Sequence, residues 1–137
     1  MDATPAGELT LVECLELLSG QRYGRVVFSE RALPAIRPVG YMMIDDHLVV
    51  RPLGAGPAAP GRDLARCLHG QVVAFEIDHA DADGGWTVVV TGTARALPDT
   101  GELLAWDNSH WGNEQAAGAV AISCTDIRGR RLHALAG

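Results

Sequence analysis

With 137 residues, of which 47% are hydrophobic but only 5% aromatic, the chain can bury one domain-sized core built mainly from Val, Leu, Ile and Ala, without metal or disulfide staples. Its formal net charge is −6, and all 11 basic residues are Arg, spread along the sequence. That pattern repels a phosphate backbone and argues against nucleic acid as a partner. The lack of any Lys excludes Schiff-base chemistry by the protein itself.

Cys14, Cys67 and Cys124 are odd in number and far apart, and His47, His69, His79, His110 and His133 lack ligand spacing, so free thiols and no metal site are expected. No apolar run approaches the 18 residues of a membrane span, and residues 1–8 are polar rather than an apolar leader. The expectation is a cytoplasmic protein of one domain, 1–137, with 1–7 and 133–137 as flexible ends.

Thr10 and Glu13 form a capping box, predicting a helix over 11–19 with Leu11, Cys14, Leu15 and Leu18 as its apolar stripe and Gly20 as its stop. β-branched and aromatic residues over 23–28 predict a strand buried around Val26 and Val27, followed by a turn over 30–33. A second strand over 35–44 contains Pro38, which requires an edge or a bulge. Asp45-Asp46 closes a hairpin to a third strand over 47–51. Residues 52–61, rich in Pro, Gly and Ala, read as a loop leading into a short helix over 62–68, stopped by Gly70.

A fourth strand is predicted over 71–78 and a polar turn over 81–85. A long fifth strand then spans 86–97, with Val88, Val89 and Val90 enclosed and Gly92 at a bulge or close approach. Pro98 opens another short helix over 100–106, residues 107–115 form a polar loop flanked by Trp106 and Trp111, and a last strand spans 119–126 ahead of an Arg-rich tail. Six strands with short helices at their joints predict a mainly β fold, an antiparallel β-barrel with α insertions.

The hairpin delivers Arg37 and Arg51 from its two arms, and two permanently charged forks on a rigid scaffold suit a phosphate or carboxylate, although ordinary surface ion pairs are the equal alternative. The loop over 52–61, running into a helix start at Arg62, can serve as an anion cradle or as a mere connector. Tyr41 can meet a ligand through its hydroxyl or be buried, and Trp86 reads more readily as packing than as a stacking residue. Glu76, inside an apolar strand, needs a cation, for which Arg95 and Arg37 are candidates. No nucleophile with its base and no carboxylate pair stands out, so no catalytic side chain is assigned.

The order of these segments, with Gly24-Arg25-Val26, 37–41 (RPVGY), 46–51 (DHLVVR), 73–78 (VAFEID), 85–94 (GWTVVVTGTA) and 127–130 (IRGR), resembles the pyridoxamine 5'-phosphate oxidase-like family of flavin-binding split barrels, in its small actinobacterial form. The resemblance covers residues 8–132. It implies a six-stranded split barrel that pairs as a homodimer, with FMN, or a deazaflavin in some relatives, in a groove between protomers. By the same resemblance the backbone of Arg37, Val39, Gly40 and Tyr41 would run along the ring edge, and Arg51 and Arg62 would match phosphate-binding positions. Glu76 and Trp86 would line the ring pocket, with Arg131 at its opposite edge.

Members that hold FMN usually carry Thr or Ser where this chain has Pro52, and a Gly-Ser-Lys-like loop where it has 54–60 without Lys. Three readings follow from the resemblance and this departure. They are a flavin-dependent oxidoreductase moving hydride to or from a small molecule, a non-catalytic flavin-binding or sensing protein, and a cofactor-free dimeric interaction module.

Overall fold

A computed structural model of the chain describes residues 7–53, 61–97 and 118–134, with 61–63 described by backbone alone. The helix predicted over 100–106, the polar loop over 107–115 with its two Trp, and most of the loop over 52–61 lie outside the described residues.

The elements in order are β1 (Glu8–Leu9), α1 (Leu11–Ser19), β2 (Tyr23–Glu30), β3 (Leu33–Ile44), β4 (His47–Pro52), α2 (Gly61–Leu68), β5 (Val72–Asp81), β6 (Gly84–Ala96), β7 (Val120–Ser123) and β8 (Asp126–Leu132). β2 pairs with β3 and β5, β3 with β4, β4 with β7, and β6 with both β5 and β7, every pairing antiparallel. These six strands close on themselves, which leaves no open edge in the ring. β8 attaches to the first half of β6 and carries β1 on its far side.

The expected six strands are thus eight among the described residues. The strand predicted over 119–126 is broken at Cys124-Thr125, and the Arg-rich tail is itself strand β8. Its alternation was masked because Gly129 stands at the inward position. A Cβ there would lie 2.6 Å from the Cys14 Sγ, so only glycine lets α1 close over the strand. Pro52, assigned to a loop by composition, is the last residue of β4 and sits opposite Val39. Pro38 is accommodated as required: its register partner is Arg25 on β2, and the described pairing of β3 with β4 starts only at Val39.

α1 begins as predicted, with the Thr10 hydroxyl accepting from the Glu13 N–H and Glu13 Oε1 accepting from the Thr10 N–H. Its Cys14 and Leu18 plug one end of a core that also contains Val26, Val39, Leu48, Val50, Phe75, Ile77, Val88, Val90 and Ile122, all essentially solvent-free. Val27 and Val89, expected inside, are half-exposed on the outer face, because side chains alternate across a strand and only Val26, Val88 and Val90 have the inward parity. At Gly92 the reason for glycine is close approach: a Cβ would lie 1.6 Å from the Ser123 carbonyl oxygen, where β6 bends between its two partners. All three cysteines are free, with Cys14 buried and the other two half-buried.

Candidate functional site

The register of the β3–β4 hairpin decides how its two arginines are presented. Gly40 lies opposite Arg51 and Ile44 opposite His47, with no bulge between. Arg37 therefore shares its face with Val39 and Tyr41, which are buried in the core, whereas Arg51 shares the outer face with Gly40 and Val49. The two guanidinium groups leave the hairpin on opposite faces and do not form one clamp. This corrects the convergence expected from the sequence, and the physical reason is the even side-chain period of paired strands.

Arg37 stands at the inward face but beyond the end of the packed core. It lines a cavity of about 120 Å3 together with Phe28, Glu30, Pro38, Pro52, Leu53, Leu64 and Cys67. Its Nη2 is 3.8 Å from Glu30 Oε2, and the side chains of both are about half exposed, so the pair is loose and screened rather than locked. The wall formed by α2 is fixed by Gln71, whose amide donates to the Ser29 carbonyl at 2.8 Å and accepts from the Ser29 N–H at 3.1 Å. Arg62 belongs to the first turn of this helix.

On the outer face Arg51 lies across Gly40, and its Nε is closed off from solvent. Tyr41 points the other way. Its hydroxyl donates to the Leu18 carbonyl, its ring meets Phe75 edge-on at 4.8 Å, and burial pushes its pKa up to about 12. Only the backbone of Tyr41 remains for a ligand. Val39 is likewise solvent-free.

Glu76 has a partner, but neither candidate named from the sequence. Arg25, directly opposite on β2, donates through Nε and Nη2 to Glu76 Oε1 and reaches Asp78 at 2.9 Å, while the Thr87 hydroxyl donates to Glu76 Oε2 at 3.3 Å. The hydrogen bonding to Glu76 leads the effects that raise the Arg25 pKa, so this guanidinium is held charged. The signal was present in the sequence as the opposite charges of two outward positions, but the pairing of β2 with β5 was not. Trp86 packs against the core from the inward face of β6, opposite Arg131 on β8. Arg131 Nη2 donates to Glu13 Oε2 at 2.8 Å, tying β8 to the start of α1. Strands β6, β5 and β2 separate β8 from β3, so Arg131 and the hairpin arginines belong to different sides of one chain.

Sequence reasoning missed the apolar walls of the cavity. Leu64 and Cys67 fall three apart on α2, and nothing in the sequence shows that Phe28 and Leu53 would meet them. No group of three or more His, Cys, Asp or Glu among the described residues is arranged to hold a metal. No described helix is long and apolar enough to cross a membrane.

A family model described as pyridoxamine 5'-phosphate oxidase matches residues 11–131, which include every candidate site residue named above. The chain belongs to that family. A protein of Mycobacterium tuberculosis named only as uncharacterised is 36% identical to this family member over 130 residues, spanning 91% of this chain and 84% of that one. Among solved structures, the FAD binding protein from Mycobacterium smegmatis superposes with a TM-score of 0.72 at 25% identity, covering 93% of this chain and 98% of its own. A FAD-binding protein from Mesorhizobium loti superposes with a TM-score of 0.65 at 24% identity, over 91% and 95% of the two chains, which shows the shared fold.

Proposed function

We propose that this family member is a cytoplasmic homodimer that binds a flavin nucleotide and passes hydride between the flavin and a small molecule. The observation that carries the reading is the cavity beside β3 and β4, open to Arg37 and walled by α2, on a barrel similar over nearly its whole length to a protein named for binding FAD. Arg37 and the α2 start at Arg62 hold the phosphate end of the flavin, whether FMN or the longer FAD for which the similar structures are named, since both present the same phosphate chemistry there. The backbone of residues 37–41 borders the ring. A bound flavin would supply the electron chemistry, and the protein's part is to bind, orient and shield it, which agrees with the absence of any assigned catalytic side chain.

A second copy completes the site. A cavity of about 120 Å3 is well below the roughly 300 Å3 at which pockets for drug-sized ligands begin, so the described residues of one chain do not by themselves enclose an isoalloxazine ring. The adjoining outer face of β3, β2 and β5 exposes Ile36 and Val72 at 59% and 69%, with Arg25, Glu76 and Asp78 among them. A face both apolar and charge-paired suits a two-fold contact, where each cation can meet the partner's carboxylate.

Titration of the purified protein with FMN, FAD and the deazaflavin cofactor, followed by flavin absorbance and by mass in solution, tests this. Stoichiometric uptake by a dimer is expected, with Arg37→Ala weakening it by about tenfold, the share of one charged hydrogen bond. A colourless protein that takes up none of the three rejects the reading in favour of a cofactor-free interaction module. Uptake without turnover of reduced nicotinamide or any offered small molecule favours a flavin store or sensor, a reading supported by Pro52 and the lack of Lys.

A further inference from the structure

The β2–β3 hairpin places two opposite charges on its inward face, just beyond the end of the packed core. Glu30 ends β2 with the parity of Val26 and Phe28, and Arg37 lies opposite Val26 with the parity of Val39 and Tyr41. The residues that join the two strands, Arg31 and Ala32, have φ of 53° and 63°. Two left-handed residues in a row make the tight turn whose twist matches paired strands, and neither is the Asn or Gly that adopts it most readily. The turn holds Glu30 opposite Leu33, at the last pair of the hairpin. Among the described residues that line the cavity, Arg37 is the one cation and Glu30 the one anion, and the other walls are apolar apart from the Cys67 thiol.

We infer that Glu30 is a specificity-determining residue, whose carboxylate beside Arg37 makes the cavity prefer a phosphate carrying one charge, as a diester does, to the doubly charged phosphate of a monoester. The inference rests on the flavin reading above and adds to it a choice between flavins. Arg37 Nη2 and Glu30 Oε2, 3.8 Å apart, are near enough to feel each other's charge but make no hydrogen bond, and both side chains are about half exposed. Such a pair contributes little to stability, so its effect lies in the field it leaves for a third charge. An anion drawn to Arg37 approaches Glu30 as well. FMN ends in a phosphate monoester with a charge of about −1.5 to −2 at pH 7, whereas each phosphate of FAD is linked on both sides and carries a single charge. Their acceptor oxygens are alike, but the repulsion from Glu30 grows with the charge it meets. The apolar walls act in the same direction, because a doubly charged group loses more hydration on leaving water. No Lys anywhere in the chain can offset the second charge.

The test is a titration of FMN, FAD and riboflavin into wild type and Glu30→Gln, read by flavin fluorescence at low and at high salt. Gln keeps the shape of Glu and removes only its charge. Glu30→Gln should bind FMN about fivefold more tightly and FAD about twofold, and should bind riboflavin, which has no phosphate, as wild type does. High salt should shrink the gain on FMN, since both side chains of the pair are half exposed. Thermal stability should be nearly unchanged, which separates altered selectivity from altered fold. Equal gains on all three flavins, or an FMN affinity that Glu30→Gln leaves unchanged or weakens, overturn the assignment of Glu30 while the flavin reading stands. If neither protein takes up any of the three, the flavin reading fails and the selectivity falls with it.

Discussion

The hydroxyl of Tyr41 donates to the main-chain carbonyl of Leu18, joining the strand that borders the cavity to the last turn of the N-terminal helix through the middle of the core. The bond satisfies one of the carbonyls that every helix leaves unpaired at its C-terminal end, and it fixes the ring edge-on against Phe75.

Tyr41→Phe should therefore cost about 1 kcal/mol in chemical denaturation, the net value of one buried hydrogen bond, with the ring contact preserved. A far larger loss, or none, would mean that the bond does not tie α1 to the barrel.

Alkaline unfolding should carry the same signature. Burial raises the Tyr41 pKa from 10.0 to about 12, so the native state favours the neutral phenol. A raised folded-state pKa contributes stability that is fully present below pH 10 and is lost as the pH climbs through about 12. Burial also raises Cys14 and Cys124 above the ordinary thiol value of 9.0, which adds a loss of the same sign starting lower. With no Lys in the chain, no ammonium titrates across this window. Denaturation of wild type between pH 9 and 12 should fall more steeply than that of Tyr41→Phe, and parallel curves would remove Tyr41 as the cause.

Gly24 and Gly92 should be intolerant of alanine for a steric reason. A Cβ at Gly24 would lie 2.3 Å from Phe75 Cζ and 2.8 Å from the Glu76 carbonyl oxygen, and one at Gly92 would lie 1.6 Å from the Ser123 carbonyl oxygen. The obstacles include backbone, which cannot rotate aside, so each substitution should cost about 3 kcal/mol or more. At Gly20, where the nearest atoms are 3.6 Å away, alanine should cost far less. Thermal melts of the three variants check the ranking.

Much of the fold was legible because local signals agreed with it. The capping box at Thr10 and Glu13 and the Asp45-Asp46 turn marked their elements to the residue, and the fourth and fifth strands were placed to within three residues. Missing were the features set by non-local pairing. The strand carrying Arg128 to Arg131 hides behind Gly129, whose value lies in what packs on it. The Arg25 partner of Glu76 depends on two strands 51 residues apart meeting in register. Arg37 and Arg51 drew attention by type, yet their separation onto opposite faces follows from counting along the hairpin, so geometry already implicit in the sequence outweighed composition. The cavity had no sequence signal, because its walls are drawn from β2, β3, β4 and α2 at once.

The charged cluster on the outer face makes the last prediction. Arg25 serves two carboxylates on the same face of β5, Glu76 and Asp78, whose side chains remain 25% and 43% exposed. Solvent screens such groups, so removing the cation should cost only about 1 kcal/mol by loss of attraction. Arg25→Ala also leaves two like charges side by side, and that repulsion is relieved by salt over a Debye length of about 8–10 Å at ordinary ionic strength. The variant should thus be destabilised most at low salt and recover part of its loss in high salt, and Glu76→Gln added to Arg25→Ala should restore more than it costs in wild type. If the same face forms the two-fold contact, Arg25→Ala should weaken the dimer as well, visible as a concentration-dependent fall in mass. A variant that loses stability equally at all salt concentrations would show that Arg25 acts by packing its stem over Val27 and Ala74, its outward neighbours on β2 and β5, rather than by charge.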